Sequence, residues 1–162
     1  MRLVLDSPIG PLGVVVDDDQ TVVGVRFGVP ATFGAATPGP AARHAAVDEL
    51  VDYFAGRRTA FSVPVRMVGG SEFERAVWGE IAKIPYGEML MYGAIATALG
   101  DPGLARAVGM ACNHNPVPVI VPCHRVVGAG GKMVGFGGGI DRKRRLLELE
   151  ARVALEQAWG LT

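Results

Sequence analysis

Residues 116–122 limit the fold more than any other stretch of the chain. Proline cannot donate a main-chain hydrogen bond, and it biases the residue before it away from helical geometry. Pro116-Val117-Pro118-Val119-Ile120-Val121-Pro122 is therefore an extended apolar segment. Asn115-Pro116 also ends whatever helix precedes it. The segment runs straight into Cys123-His124, and glycines follow at 128, 130, 131, 135, 137, 138 and 139. A loop so rich in glycine lets main chain approach a flat ligand closely. An extended arm thus delivers a thiol and an imidazole to a glycine-rich loop.

Upstream, the chain reads as two regions, 1–70 and 71–162. The first alternates short β-branched runs with turn signals. Leu3-Val4-Leu5, Leu12-Gly13-Val14-Val15-Val16 and the run 21–27 are divided by Ser7-Pro8-Ile9-Gly10-Pro11 and by the acidic tip Asp17-Asp18-Asp19-Gln20, the pattern of an antiparallel meander. A Pro/Gly/Ala-rich loop is expected over 29–40. A helix follows over 41–54, with apolar residues at helical spacing (Ala46, Val47, Leu50, Val51, Phe54) and Gly56 closing it. Pro64 suggests an edge strand over 61–65. The second region is mainly helical. Ser71-Glu72-Phe73-Glu74 matches a capping box, so a helix should run from 72 to about 81–83. Pro85-Tyr86-Gly87 breaks it. A short helix over 92–99 and another ending near Cys112 flank Gly100-Asp101-Pro102-Gly103, with Asp101 as N-cap and Pro102 at the first helical position. Two such helices are a helix-turn-helix candidate, though ordinary helical hairpins share the pattern.

Composition excludes several classes. Hydrophobic residues make up 49% of the 162 and charged residues 20%, a globular balance. No apolar run is long enough to span a membrane, and the N-terminus has no secretory core, so a cytoplasmic protein is expected. Lysine and arginine total 16 and so do aspartate and glutamate, which excludes binding nucleic acid by bulk charge alone. The distribution is less even. Residues 101–152 hold eight basic side chains against four acidic ones, and Arg142-Lys143-Arg144-Arg145 reads as a solvated helix start within reach of phosphate.

The two cysteines, Cys112 and Cys123, are no disulfide framework. A free cysteine is ordinarily a small buried hydrophobe. To act as a nucleophile, a thiol needs a neighbouring base or cation, since its unperturbed pKa is about 8.5. His124 could supply the base, with a carboxylate orienting its ring. On the residues alone, a nucleophilic Cys123 and a structural one stand level. A zinc site from Cys112, His114, Cys123 and His124 lacks paired Cys-x-x-Cys ligands, and no metal or other cofactor is expected. A cysteine hydrolase lacks a separate distant histidine.

Pro122-Cys123-His124-Arg125-Val126-Val127 resembles the active-site signature of the O6-alkylguanine-DNA alkyltransferases. Ile84-Pro85-Tyr86-Gly87-Glu88, Tyr92, Ala105-Arg106-Ala107-Val108-Gly109, Asn115-Pro116-Val117-Pro118, Gly137-Gly138 and Leu146-Leu147-Glu148-Leu149-Glu150 fall in that family's order and approximate spacing. The resemblance is dense from Phe73 to Glu150. It is looser over the first region, where residues 6–12 have the family's look.

The resemblance implies an α+β fold. A small N-terminal antiparallel-sheet-plus-helix lobe, ribonuclease H-like, precedes a winged helix-turn-helix-like domain for DNA binding and alkyl transfer. It implies that Cys123 accepts the alkyl group, that His124 is its base through a water, and that Glu150 fixes the histidine tautomer. Asn115 would tie the hinge, and Tyr92 would crowd the phosphate and donate to guanine N3. Arg106 would replace the extruded base in the stack. Ala105, Met110, Cys112, Asn113 and Arg125 would lie along DNA. Val126, Phe136, Gly137 and Pro118 would line the base pocket. Cys112 also admits a packing role. Phe136 and Met91 depart from the tyrosine and the serine or threonine frequent at their positions. The implied partner is duplex DNA carrying O6-alkylguanine, met by a monomer. O4-alkylthymine and clustering along DNA stay open. An alkyltransferase-like binder without transfer is the rival within the resemblance, and retention of Cys123, His124 and Glu150 speaks against it.

Overall fold

Alternating valines and leucines near the N-terminus can bury one side of a sheet only if their strands pair antiparallel. The computed structural model, which describes residues 1–30, 33 and 44–160, shows that pairing. Strands β1 (Arg2–Leu5), β2 (Leu12–Val16) and β3 (Val22–Phe27) form an antiparallel sheet in the order β1-β2-β3. Leu3 sits opposite Val14, and Val14 opposite Val25, so one face carries the apolar set. Gly10 (φ 96°) and Gln20 (φ 68°) take the left-handed positions in the two turns. Helix α1 (Ala45–Phe54) packs on β1 with Ala46, Leu50 and Tyr53 fully buried. Its N-cap is His44, whose Nδ1 accepts from the Ala46 amide at 2.9 Å. The expected loop over 29–40 and the start of the helix at 41 lie largely outside the described residues.

The expected edge strand over 61–65 does not form. Val65 makes one isolated bridge to Val22, while the Ser62 and Val63 amides turn to the buried carboxylate of Glu49. Glu49 accepts from Ser62 N at 2.8 Å, Ser62 Oγ at 2.6 Å and Val63 N at 3.3 Å. A side chain on α1 thus replaces the strand partner that Pro64 would have interrupted.

The chain divides into two compact units, Met1–Val68 with Pro116–Pro118, and Gly69–Asn115 with Val119–Thr162. The short 116–118 segment joins the first unit through the Val25 amide, which donates to the Pro116 carbonyl at 3.0 Å.

In the second unit α2 (Glu72–Ile81) starts at a complete capping box. Ser71 Oγ accepts from Glu74 N, and the Glu74 carboxylate accepts from Ser71 N. Helices α3 (Tyr92–Ala98) and α4 (Ala105–Asn113) are joined by a turn in which Asp101 caps Gly103 N and Pro102 opens a 3-10 turn. α2 packs against both, and Trp78 Nε1 donates to the Ala111 carbonyl at 2.8 Å. Two short strands, β4 (Leu90–Met91) and β5 (Val126–Val127), pair in parallel and connect the start of α3 to the segment after Cys123. The long α5 (Ile140–Ala158) closes the unit, burying Lys143, Leu146, Glu150 and Val153. No described helix is long and apolar enough to cross a membrane.

Glu49 gives the first testable consequence. Burial opposes its ionisation, yet the bonds from Ser62 and Val63 outweigh that and hold its carboxyl below the usual range. Glu49→Ala should destabilise the protein by about 1–3 kcal/mol at neutral pH, because it orphans buried donors. Since the folded carboxyl titrates lower than the unfolded one, its contribution is present above the ordinary carboxylate range. It is lost as pH falls through the folded value. Urea unfolding at stepped pH should show wild type and variant converging in acid; a gap that persists there would refute the assignment.

Candidate active site

Cys123 lies in a 3-10 turn, Cys123–Arg125, that ends the proline-rich segment and leads into β5. The turn is sharp, so the thiol, imidazole and guanidinium that are adjacent in sequence leave the backbone in different directions. All three side chains are buried. Val119, just upstream, is fully buried with φ 73°, a conformation that costs a β-branched residue about 1–3 kcal/mol. The Asn115 side chain helps hold this bend, its Nδ2 donating to the Val121 carbonyl at 2.8 Å.

His124 Nε2 donates to Glu150 Oε2 at 2.7 Å. A carboxylate only accepts, so the proton sits on Nε2 and Nδ1 keeps its lone pair. That Nδ1 is buried without a hydrogen-bond partner among the described residues. Burial lowers the His124 pKa despite the pull of Glu150, which keeps the ring neutral and its Nδ1 lone pair free to accept. Glu150 is satisfied further by Arg125 Nε at 2.8 Å, Arg125 Nη2 at 3.0 Å and the Gly87 amide at 3.2 Å. Gly87 reaches it from a left-handed turn (φ 78°) where an added Cβ would stand 3.1 Å from Ala154 Cβ.

Burial pushes the Cys123 pKa up to about 11, against a hydrogen bond from the Asn115 side chain and the charge of Lys143.

Beside this turn, α3, α4 and the glycine-rich loop enclose an open, mainly apolar cavity of about 1030 Å³. Tyr92, Ala105, Arg106, Met110 and Asn113 line it with Met91, Val134 and Gly135. Tyr92 couples it to the acceptor, because Cys123 and Cys112 both act electrostatically on the phenol, whose pKa burial raises to about 12. Its hydroxyl donates to the Val134 and Gly135 carbonyls, at 3.1 and 3.2 Å. Cys123 itself, Phe136 and Gly137 are not on the lining. Val126 is fully buried, and its carbonyl accepts from Lys143 at 2.5 Å. Pro118 is buried in the first unit and does not line the cavity.

Two DNA-contact expectations are overturned. Arg125 is interior, held by Glu150, by the Ile84 carbonyl at 2.7 Å and by the Tyr86 ring at 5.5 Å, so its guanidinium is buried away from a phosphate at the surface. Cys112 is buried on the side of α4 that carries Val108 and Ala111, with burial raising its thiol to about 12. Arg106, Gly109, Met110 and Asn113 form the opposite, cavity-lining stripe, and Met110 is 63% exposed. A helical-wheel reading separates the two sides.

Lys143 was missed. It is wholly buried, with Nζ donating to the Val126 and Val134 carbonyls. The basic run disguised it, yet its spacing to Leu146, Glu150 and Val153 places it on the buried stripe of α5. Among the described residues no group of three or more His, Cys, Asp or Glu is placed to hold a metal ion.

An oriented His–Glu pair beside a buried cysteine, next to a cavity that carries an arginine and a tyrosine, defines a thiol-centred transfer site. Residues 72–152 match the family described as 6-O-methylguanine DNA methyltransferase, DNA binding domain. A methylated-DNA–protein-cysteine methyltransferase of Mycobacterium tuberculosis is 49% identical over 150 residues, spanning 90% of this chain and 89% of that protein. One from Salmonella typhimurium is 44% identical over 108 residues, 67% and 63% of the two chains. The crystal structure of Mycobacterium tuberculosis OGT in complex with DNA superposes with a TM-score of 0.82 at 48% identity, covering 93% of this chain and 92% of that one. The chain belongs to the methylated-DNA–protein-cysteine methyltransferase family.

The Glu150 cluster is testable by stability alone. Glu150→Ala leaves Arg125 buried and uncompensated, and should cost about 3–5 kcal/mol in urea unfolding. A loss under about 1 kcal/mol would show that Arg125 escapes to solvent.

Proposed function

We propose that this protein repairs O6-alkylguanine in duplex DNA by direct reversal, moving the alkyl group once and irreversibly onto Cys123. The observation that carries this is the orientation of His124, with Nε2 on Glu150 and an Nδ1 that has no partner among the described residues, next in sequence to the buried thiol. The damaged base leaves the helix and enters from the cavity side. Extrusion costs a few kcal/mol and is cheapest for a weakened pair. As the base arrives, the Sγ proton passes through a water to His124 Nδ1. The sulfur then attacks the alkyl carbon in line, the C–S bond forms and the C–O6 bond breaks. The electron pair of that bond returns to the purine, where Tyr92 donates to N3. The product is a thioether and, once the proton taken by His124 returns through solvent to the purine anion, unmodified guanine. No second thiol regenerates the acceptor, so one molecule repairs one lesion.

The remaining residues take roles that fit their positions. Arg106 fills the gap in the stack, and Ala105, Met110 and Asn113 lie along the DNA on the exposed stripe of α4. Phe136 and Gly137 belong to the loop that meets the base. Helices α3 and α4 work as a winged helix-turn-helix, and the first unit is a ribonuclease H-like lobe. The protein acts as a monomer in the cytoplasm, wherever DNA is. O4-alkylthymine is a second substrate to assay.

After reaction with an O6-methylguanine duplex, peptide mapping should find a single methyl, on the Cys123 peptide and none on Cys112. Methyl on another residue, or none at all, would overturn the reading. Arg106→Ala should slow transfer from duplex DNA by about tenfold or more, the share of extrusion cost it offsets. Reaction with free O6-benzylguanine should hardly change, and equal loss on both substrates would exclude the finger role.

A further inference from the structure

Six methionines occur in the chain, and four of them, Met1, Met89, Met91 and Met110, are exposed. Met110 is the most exposed, at 63%, whereas Cys112 and Cys123 are buried. Methionine ordinarily fills gaps in a core, where solvent does not reach its thioether. Here the most accessible of the sulfur-bearing side chains stands on the outer stripe of α4, in the lining of the apolar cavity. An exposed thioether is open to two-electron oxidation, which turns a flexible apolar group into a polar one.

Its neighbours decide what such a change would do. Arg106 lies four residues before Met110 and Asn113 three after it, and all three line the cavity. Side chains at those spacings meet on a helix surface. The Arg106 guanidinium is a pure donor and the Asn113 amide also carries donors, but a thioether is only a weak acceptor. A sulfoxide oxygen is a strong one. On Met110 it would stand within one turn of the Arg106 side chain, which is exposed. Met91 lines the same cavity from the start of α3, but that helix carries no basic residue.

We propose that Met110 is an oxidation site that regulates DNA binding: a hydroperoxide converts its thioether to a sulfoxide, whose oxygen draws the Arg106 side chain back onto α4. The sulfur lone pair attacks the terminal oxygen of the hydroperoxide, the S–O bond forms and the O–O bond breaks. The hydroxyl proton moves to the departing oxygen, which leaves as water or an alcohol. Sulfur is oxidised by two electrons and the peroxide is reduced by two. The proposal rests on the reading above that this stripe lies along DNA. Oxidation then takes the arginine from the duplex and makes an apolar surface polar, while Cys123, His124 and Glu150 keep their places. A methionine sulfoxide reductase restores the thioether.

The test treats the protein with hydrogen peroxide, removes the excess with catalase and locates sulfoxide by peptide mapping. Met110 should oxidise before the half-buried Met67 and Met133. The Kd for an undamaged duplex should rise by about fivefold or more, the scale of one lost hydrogen bond. Single-turnover transfer from an O6-methylguanine duplex, at protein concentrations below that Kd, should fall in parallel. Reaction with free O6-benzylguanine should change less than about twofold. Reductase treatment should reverse the losses. Met110→Leu, compared with its own untreated form, should lose the response, and Arg106→Ala should blunt it. An oxidised Met110 with an unchanged Kd, a Met110→Leu protein that still responds, or an undiminished response in Arg106→Ala overturns the proposal. So does loss on both substrates that a thiol reductant reverses, which places the oxidation at Cys123. Untreated protein that binds duplex and transfers no methyl would instead sink the repair reading, while the effect of Met110 oxidation on Kd stands on its own.

Discussion

The carboxylate of Glu150 sets the geometry of the whole second unit. Buried on α5, it needs donors for both oxygens, and it collects them from two separate places in the chain: His124 and Arg125 in the acceptor turn, and the Gly87 amide in the turn before β4. An unpaired buried carboxylate would cost several kcal/mol, so these segments must converge or the unit does not close. Convergence fixes the rotation of α5 and the path of the acceptor turn together. The histidine tautomer then follows from packing, and it exists before any substrate is bound.

With the imidazole fixed, burial of Cys123 becomes the controlling electrostatic fact. Burial pushes the thiol up to about 11, so the site itself opposes loss of the proton. That proton must leave during the reaction. His124 Nδ1 offers the acceptor for it, and the Asn115 side chain and the Lys143 ammonium already lean the balance toward the anion. Rate is thus coupled to arrival of the base, which displaces solvent and brings the electrophilic carbon to the sulfur.

Much of this was readable in the residues, and the boundary between what was and what was not has a physical cause. The capping box at Ser71, the Asp101-Pro102 turn and the three β-branched strands are local signals, satisfied by residues a few positions apart, and each produced its element. Cys123, His124 and Glu150 were singled out together only by the family resemblance, since the residues alone left Cys123 undecided. What stayed hidden depended on distant partners. Residues 61–65 look like a strand until Glu49 claims their amides. Arg125 looks like a phosphate ligand until Glu150 and the Ile84 carbonyl take its guanidinium. Lys143 was obscured by the arginines around it, although the stripe it shares with Leu146 and Glu150 was there to be counted.

Helix α4 shows how one short element reconciles a neutral protein with work on a polyanion. Its inner stripe, Val108, Ala111 and Cys112, is spent on the core, where the Ala111 carbonyl also receives Trp78. Its outer stripe carries Arg106, Met110 and Asn113 along an apolar cavity. Few cations stand there, and Arg125 and Lys143, which the sequence count would add, are turned inward. With few cations on that stripe, the DNA contact proposed for it rests more on shape and apolar surface than on counterion release. The same two basic residues that are lost to the surface support the acceptor from within. Their charge is used instead to hold one carboxylate and two main-chain carbonyls.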